Sequence, residues 1–254
     1  GLIDPHVHPS MMAMLMATEW ITPEAWNLPG RDVPATVGND AYLARLAELE
    51  ARHPSEQPFV TFGWHRQFHG EVSRSDLDVL STTRPIVVWG RSGHQVCCNG
   101  PALEMVEAAE GAAWDPHIDL ETGWMWESGM AWALQRLRSV LFEGGQYEAM
   151  MEEVAQLVHR GGVTTIADAG FGGMALPERE IEVLAQVHEG DHVPFRQYLI
   201  PQVGTFKRVY GDEAEDRMAA LSEHASERIR FLDAGKFFAD GAFIAQLMQL
   251  GEPG

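Results

Sequence analysis

Gly1-Leu2-Ile3-Asp4-Pro5-His6-Val7-His8-Pro9 decides how the rest of the chain is read. An apolar run leads into two histidines separated by a single residue. In a β-strand, residues i and i+2 face the same way, so His6 and His8 project together while Val7 points away. Two imidazoles converging at the end of a strand, just before a loop, suit one divalent cation such as zinc. A bare His-x-His is common, and two ordinary polar histidines at a strand end are the alternative. The strand-like run ahead of the pair favours the metal.

Working outward, Met11-Met12-Ala13-Met14-Leu15-Met16 reads as a buried helix, with an adaptable pocket wall as the second possibility. Pro29-Gly30 and Pro34 mark a break. Residues 40–53 place Leu43, Leu46 and Leu49 at helical spacing, ended by Pro54. Strand-like runs follow at 59–62 and 85–89, with helices expected at 101–109 and 127–142. From Tyr147 the register changes. An amphipathic helix to His159 stops at Gly161-Gly162, and Val163-Thr164-Thr165-Ile166-Ala167-Asp168 is a β-branched strand. Helices at 177–188 and 213–228 then alternate with strands at 193–200 and 234–238. That alternation is the rhythm of parallel βα units.

Composition narrows the function classes. The 254 residues are 45% hydrophobic, so a packed core is expected. Eighteen basic against 37 acidic residues give a formal charge of −19, which would repel nucleic acid and anionic membranes. Adjacent cysteines rarely bridge each other, so Cys97 and Cys98 are expected as reduced thiols. Reduced thiols suit a cytoplasmic setting.

Lys236-Phe237-Phe238-Ala239-Asp240-Gly241 is the second diagnostic segment. A lysine with its ordinary pKa of ~10.4 is a cation and binds no metal. Burial lowers that value, and the neutral amine can add carbon dioxide to give an anionic carbamate with two oxygens. The strand carrying Lys236 is the fourth, after those at His6, Thr165 and Arg196. The surface lysine before a turn is the competing reading.

The strand ending in His6-Val7-His8, together with Lys236 on a fourth strand, resembles the amidohydrolase superfamily of metal-dependent hydrolases. Further segments resemble the branch that includes N-substituted formamide deformylases: Gly63-Trp64, Gly93-His94 with Asn99 and Ala102-Leu103, Gly162-Val163-Thr164-Thr165 with Asp168-Ala169-Gly170, and Phe238-Ala239-Asp240-Gly241. The resemblance implies an α/β fold of the TIM (β/α) barrel type. About four barrel strands fit this chain: residues 1–30 as the first strand and helix, 31–143 as an inserted α+β subdomain, and 144–254 as strands two to four.

It implies that His6 and His8 hold one divalent ion, zinc being the expected metal. Carbamylated Lys236 would bridge to a second. His94 is expected either to touch substrate or to make a structural hydrogen bond. Asp168 and Asp240 are expected beside the ligands, steadying them; for Asp168, capping a helix is the other reading. His65 and His69 have metal-like i, i+4 spacing, but no His-Glu-x-x-His motif accompanies them and flanking glycines suggest a loop.

Family members also carry histidines on strands five and six, a catalytic aspartate on strand eight and a small β-sandwich. This chain is therefore expected to be a fragment, with open edges at its first and fourth strands covered by self-association. The expected reaction is hydrolysis of a non-peptide C–N bond in a small amide or formamide. Alternatives are an inactive or binding module lacking the downstream ligands, and an esterase or isomerase on the same scaffold.

Overall fold

The computed structural model describes residues 1–53, 57–142, 145–190 and 193–239. The chain divides into two units, one formed by Gly1–Ala17 with Leu141–Ala239 and the other by Thr18–Val140. The first unit opens with strand β1 (Leu2–Val7) and helix α1 (Pro9–Met16). Proline at the first helical position loses no hydrogen bond there. Ala13, Met14, Leu15 and Met16 are buried, which makes the methionine run core rather than pocket wall.

The second unit begins with β2 (Glu19–Trp20) and the antiparallel pair β3 (Trp26–Leu28) and β4 (Arg31–Val33). Helix α2 (Asn39–Arg52), strand β5 (Phe59–Trp64) and the short helices α3 (Arg66–His69) and α4 (Arg74–Leu80) come next. Strands β6 (Ile86–Gly90) and β7 (Gln95–Cys98), helices α5 (Gly100–Met105) and α6 (Ala108–Ala112), strand β8 (Trp124–Trp126) and helix α7 (Glu127–Leu141) complete it. Its sheet runs β2-β5-β6-β7-β8, with parallel pairing up to β6 and antiparallel pairing beyond. Because β2 already pairs with β5, the chain enters this unit before the Pro29-Gly30 break. Every residue of β6 is buried, as its unbroken apolar run suggests for a central strand. Cys97 and Cys98 are buried free thiols.

The chain returns to the first unit with α8 (Gln146–Arg160), β9 (Val163–Phe171), α9 (Pro177–His188) and β10 (Arg196–Pro201). Helices α10 (Val203–Tyr210) and α11 (Ala214–Ala220) and strand β11 (Ile229–Phe231) follow. Helix α8 buries Tyr147, Met151, Val154, Ala155 and Val158, a stripe at helical spacing. It ends where Gly162, at φ +68°, donates its N–H to the His159 carbonyl. That left-handed conformation favours glycine and turns the chain straight into β9.

The four strands form a parallel sheet in the order β1-β9-β10-β11. Among the described residues it is open, with β1 and β11 at its edges, and no closed barrel is seen. Two expectations about its last part need correction. The fourth strand is Ile229–Phe231 rather than 234–238, and Lys236 lies beyond it, at an isolated bridge to Gln202. The helix expected over 213–228 is split into Ala214–Ala220 flanked by 3-10 turns. No described helix is long and apolar enough to cross a membrane.

Candidate metal centre

Strand β1 delivers the histidine pair through an irregularity. Asp4 pairs with Ile166 and Val7 with Asp168, so β1 carries one extra residue between those points. Pro5, which has no N–H for the ladder, sits in that bulge. The His6 N–H instead donates to Asp4 Oδ1 at 3.1 Å. The His6 and His8 rings stand edge to face with centres 5.1 Å apart. Two imidazoles on one tetrahedral ion have ring centres roughly 5 Å apart, so the spacing fits a shared cation.

Asp168, on the neighbouring strand β9, supports His8. Its Oδ1 lies 3.3 Å from His8 Nδ1 and accepts the Gly170 N–H at 2.9 Å. A carboxylate on Nδ1 selects the tautomer that leaves Nε2 free for a metal. Asp168 is only 3% exposed. Burial raises its carboxyl above the ordinary range, and the His8 contact offsets only part of that rise. Gly170 is small for a reason: a Cβ there would sit 2.8 Å from His8 Nδ1.

Beneath the pair lies a cluster that the sequence reading missed. Ser10 Oγ donates to Glu180 Oε1 at 2.5 Å, and the Gly172 N–H donates to Glu180 Oε2 at 2.9 Å. The Tyr147 hydroxyl donates to Ser10 Oγ at 2.7 Å. Ser10, Tyr147 and Glu180 are all buried. Burial, followed by the charge of Asp168, pushes Glu180 up to about 8. A sequence signal did exist: Glu180, Val183, Leu184 and Val187 make one inward stripe of α9, with a carboxylate where an apolar side chain belongs.

Lys236 is fixed by its backbone at the C-terminal end of the sheet. Its N–H donates to the Pro201 carbonyl at 2.8 Å, and its carbonyl accepts the Val203 N–H at 3.1 Å. The side chain is half-buried, with Nζ 5.1 Å from the centre of the Phe238 ring. Three strand spacings separate β1 from β11, ~14 Å in a flat sheet. Sharing one centre with His8 thus requires the curl that barrel closure imposes. Among the described residues no three His, Cys, Asp or Glu side chains group so as to hold an ion.

The remaining candidates separate clearly. His94 belongs to the second unit, where its Nδ1 is 3.1 Å from each oxygen of Glu127. Glu127 holds this contact with φ at +41°, a conformation that costs about 1–3 kcal/mol for a non-glycine residue. His69 is a structural histidine: its Nδ1 accepts the His65 N–H and its Nε2 donates to the Thr36 carbonyl, each at 3.0 Å. Asp240 lies outside the described residues.

The fold has solved counterparts. One is an uncharacterized metal-dependent hydrolase from Pyrococcus horikoshii, with a TM-score of 0.62 and 14% identity over 96% of this chain and 43% of that one. Another is an uncharacterized metal-dependent hydrolase from Pyrococcus furiosus, with a TM-score of 0.58 and 16% identity over 96% of this chain and 44% of that one. The chain therefore spans less than half the length of either. No protein-family model matches the sequence, and no curated protein does. At these identities the likeness is one of fold: a mixed α/β architecture shared with two metal-dependent hydrolases.

Proposed function

We propose that this chain carries part of the active site of a metal-dependent hydrolase acting on a non-peptide C–N bond, in an amide or formamide. The observation that carries the reading is the His6–His8 pair, with His8 Nδ1 facing the buried Asp168 carboxylate. In this proposal His6 and His8 are neutral and present nitrogen lone pairs to a divalent cation, zinc being the metal that imidazoles suit best here. When bound, such an ion lowers the pKa of water towards ~7 and polarises a carbonyl. Asp168 holds the His8 ring in the tautomer with its proton on Nδ1, which leaves the Nε2 lone pair for the ion. The Lys236 amine, once neutral, attacks carbon dioxide and loses a proton, giving an anionic oxygen ligand for a second ion. His94, oriented by Glu127, is assigned to substrate recognition on the resemblance of Gly93-His94.

A second reading is favoured by the absence of a three-residue ligand group among the described residues. In it, the chain alone binds metal weakly and catalyses nothing. Metal analysis of the purified chain, with turnover of a panel of N-substituted formamides and amides, separates the two. The hydrolase reading expects one or two ions per chain and turnover that a chelator abolishes and zinc restores. Weakly held metal without turnover supports the second reading, and turnover that survives complete removal of metal contradicts the metal-dependent chemistry.

A further inference from the structure

We infer that Glu180 is a positioning residue for the His8 end of the candidate centre, acting through Ser10 on one side and Gly172 on the other. The inference rests on the metal-dependent reading above. A carboxyl that is 1% exposed has lost its hydration, and an apolar residue on the same inward stripe of α9 would fill the space without that loss. What a carboxyl does that leucine cannot is accept two hydrogen bonds.

Its two donors lie on the two segments that leave the candidate centre. Ser10 is two residues beyond His8, in the first turn of α1. Gly172 is four residues beyond Asp168, just after β9 ends. His8 is the residue from which α1 starts, and no side chain caps that start. The Ser10–Glu180 bond therefore fixes where α1 departs and, with it, the backbone of His8. Tyr147 from α8 completes the cluster through Ser10. One buried group thus ties α1, α8 and α9 to the ends of β1 and β9, the two strands that hold the His8–Asp168 contact.

A residue that only packs affects stability alone, whereas a positioning residue also changes the His8 ring and what it binds. The test uses the full chain with Glu180→Gln, Ser10→Ala and a packing control, Leu184→Ala, from the same buried stripe. Zinc affinity is measured by competition with a chromophoric chelator, and His8 by its imidazole nitrogen NMR signals. Glu180→Gln keeps one acceptor oxygen and replaces the other with an amide donor, so it can no longer accept from both Ser10 and Gly172, and Ser10→Ala removes only a hydroxyl.

Each is expected to weaken zinc binding about 10–100-fold and to move the His8 signals. Leu184→Ala should lower the melting temperature while leaving both unchanged. Unaltered zinc affinity and His8 signals in both variants would overturn the inference. If the wild-type chain binds no zinc, the metal reading fails, and the His8 signals decide alone: movement in the two variants but not the control keeps the positioning role, and no movement overturns it. Should Glu180→Gln fail to fold, Ser10→Ala carries the same comparison.

Discussion

Gly170 leaves little room for a side chain beside His8. Gly170→Ala puts a methyl group 2.8 Å from His8 Nδ1, so the ring must move or its bond to Asp168 must break. We expect zinc affinity to fall roughly tenfold or more, measured by competition titration, in a protein that still folds. Lys236→Ala is expected to abolish amide turnover, with partial rescue by short carboxylic acids that replace the carbamate oxygens. Full activity in that variant would remove the carbamate from the account.

Glu180 gives a pH prediction. Its carboxyl stands at about 8 against an ordinary 4.5, so between those values the folded state keeps a proton that the unfolded chain releases. Stability therefore falls as pH rises through that window, and raised Asp168 acts in the same direction. Urea denaturation from pH 4.5 to pH 8 should show the decline in wild type and a shallower one in Glu180→Gln. The histidine pair was legible in the sequence because the two residues close one short apolar run, His6 inside β1 and His8 one residue past its end. Glu180 was masked, since within Pro177-Glu178-Arg179-Glu180-Ile181-Glu182 it resembles solvated helix charge, and only its spacing with Val183, Leu184 and Val187 marks it as inward. The partner of His94 was not legible, as it lies 33 residues away and comes beside it only when β7 pairs with β8.

At the scale of elements, α8 and α9 are set by periodicity and β9 by its β-branched run. These are strong local signals, and the sequence placed all three closely. Strand β11 was misplaced because only Ile229 and Phe231 mark it, with Arg230 between them and charge on either side at Arg228 and Asp233. Its position comes from pairing with Gln197–Leu199, which local pattern does not encode. Helix α9 should separate stability from metal binding. Leu184 is 3% exposed, and Leu184→Ala is expected to cost about 2–5 kcal/mol, read from urea unfolding. Zinc affinity should not change with it. A fall in affinity as large as that of Glu180→Gln would show that the whole helix, rather than its carboxylate, holds the centre.

At the scale of the molecule, the first unit displays a parallel sheet with two open edges among the described residues. Parallel sheets are found almost only with both faces covered, and exposed edges invite pairing. Leu2 and Ile3 on one edge are 64% and 70% exposed, and Phe237 and Phe238 beyond the other are 69% and 66%. We expect the isolated chain to self-associate on size exclusion, and a compact monomer would contradict that expectation. The βα rhythm made the parallel order legible. The curvature that would bring Lys236 towards His8 was not, because it depends on how strands beyond the local pattern close a sheet.

The most direct measurement is zinc binding by the whole chain, compared with His6→Ala and His8→Ala. The histidine-pair centre predicts saturable binding in wild type that each substitution weakens at least tenfold, in proteins that remain folded. Equal zinc affinity in all three, or none in any, would contradict it.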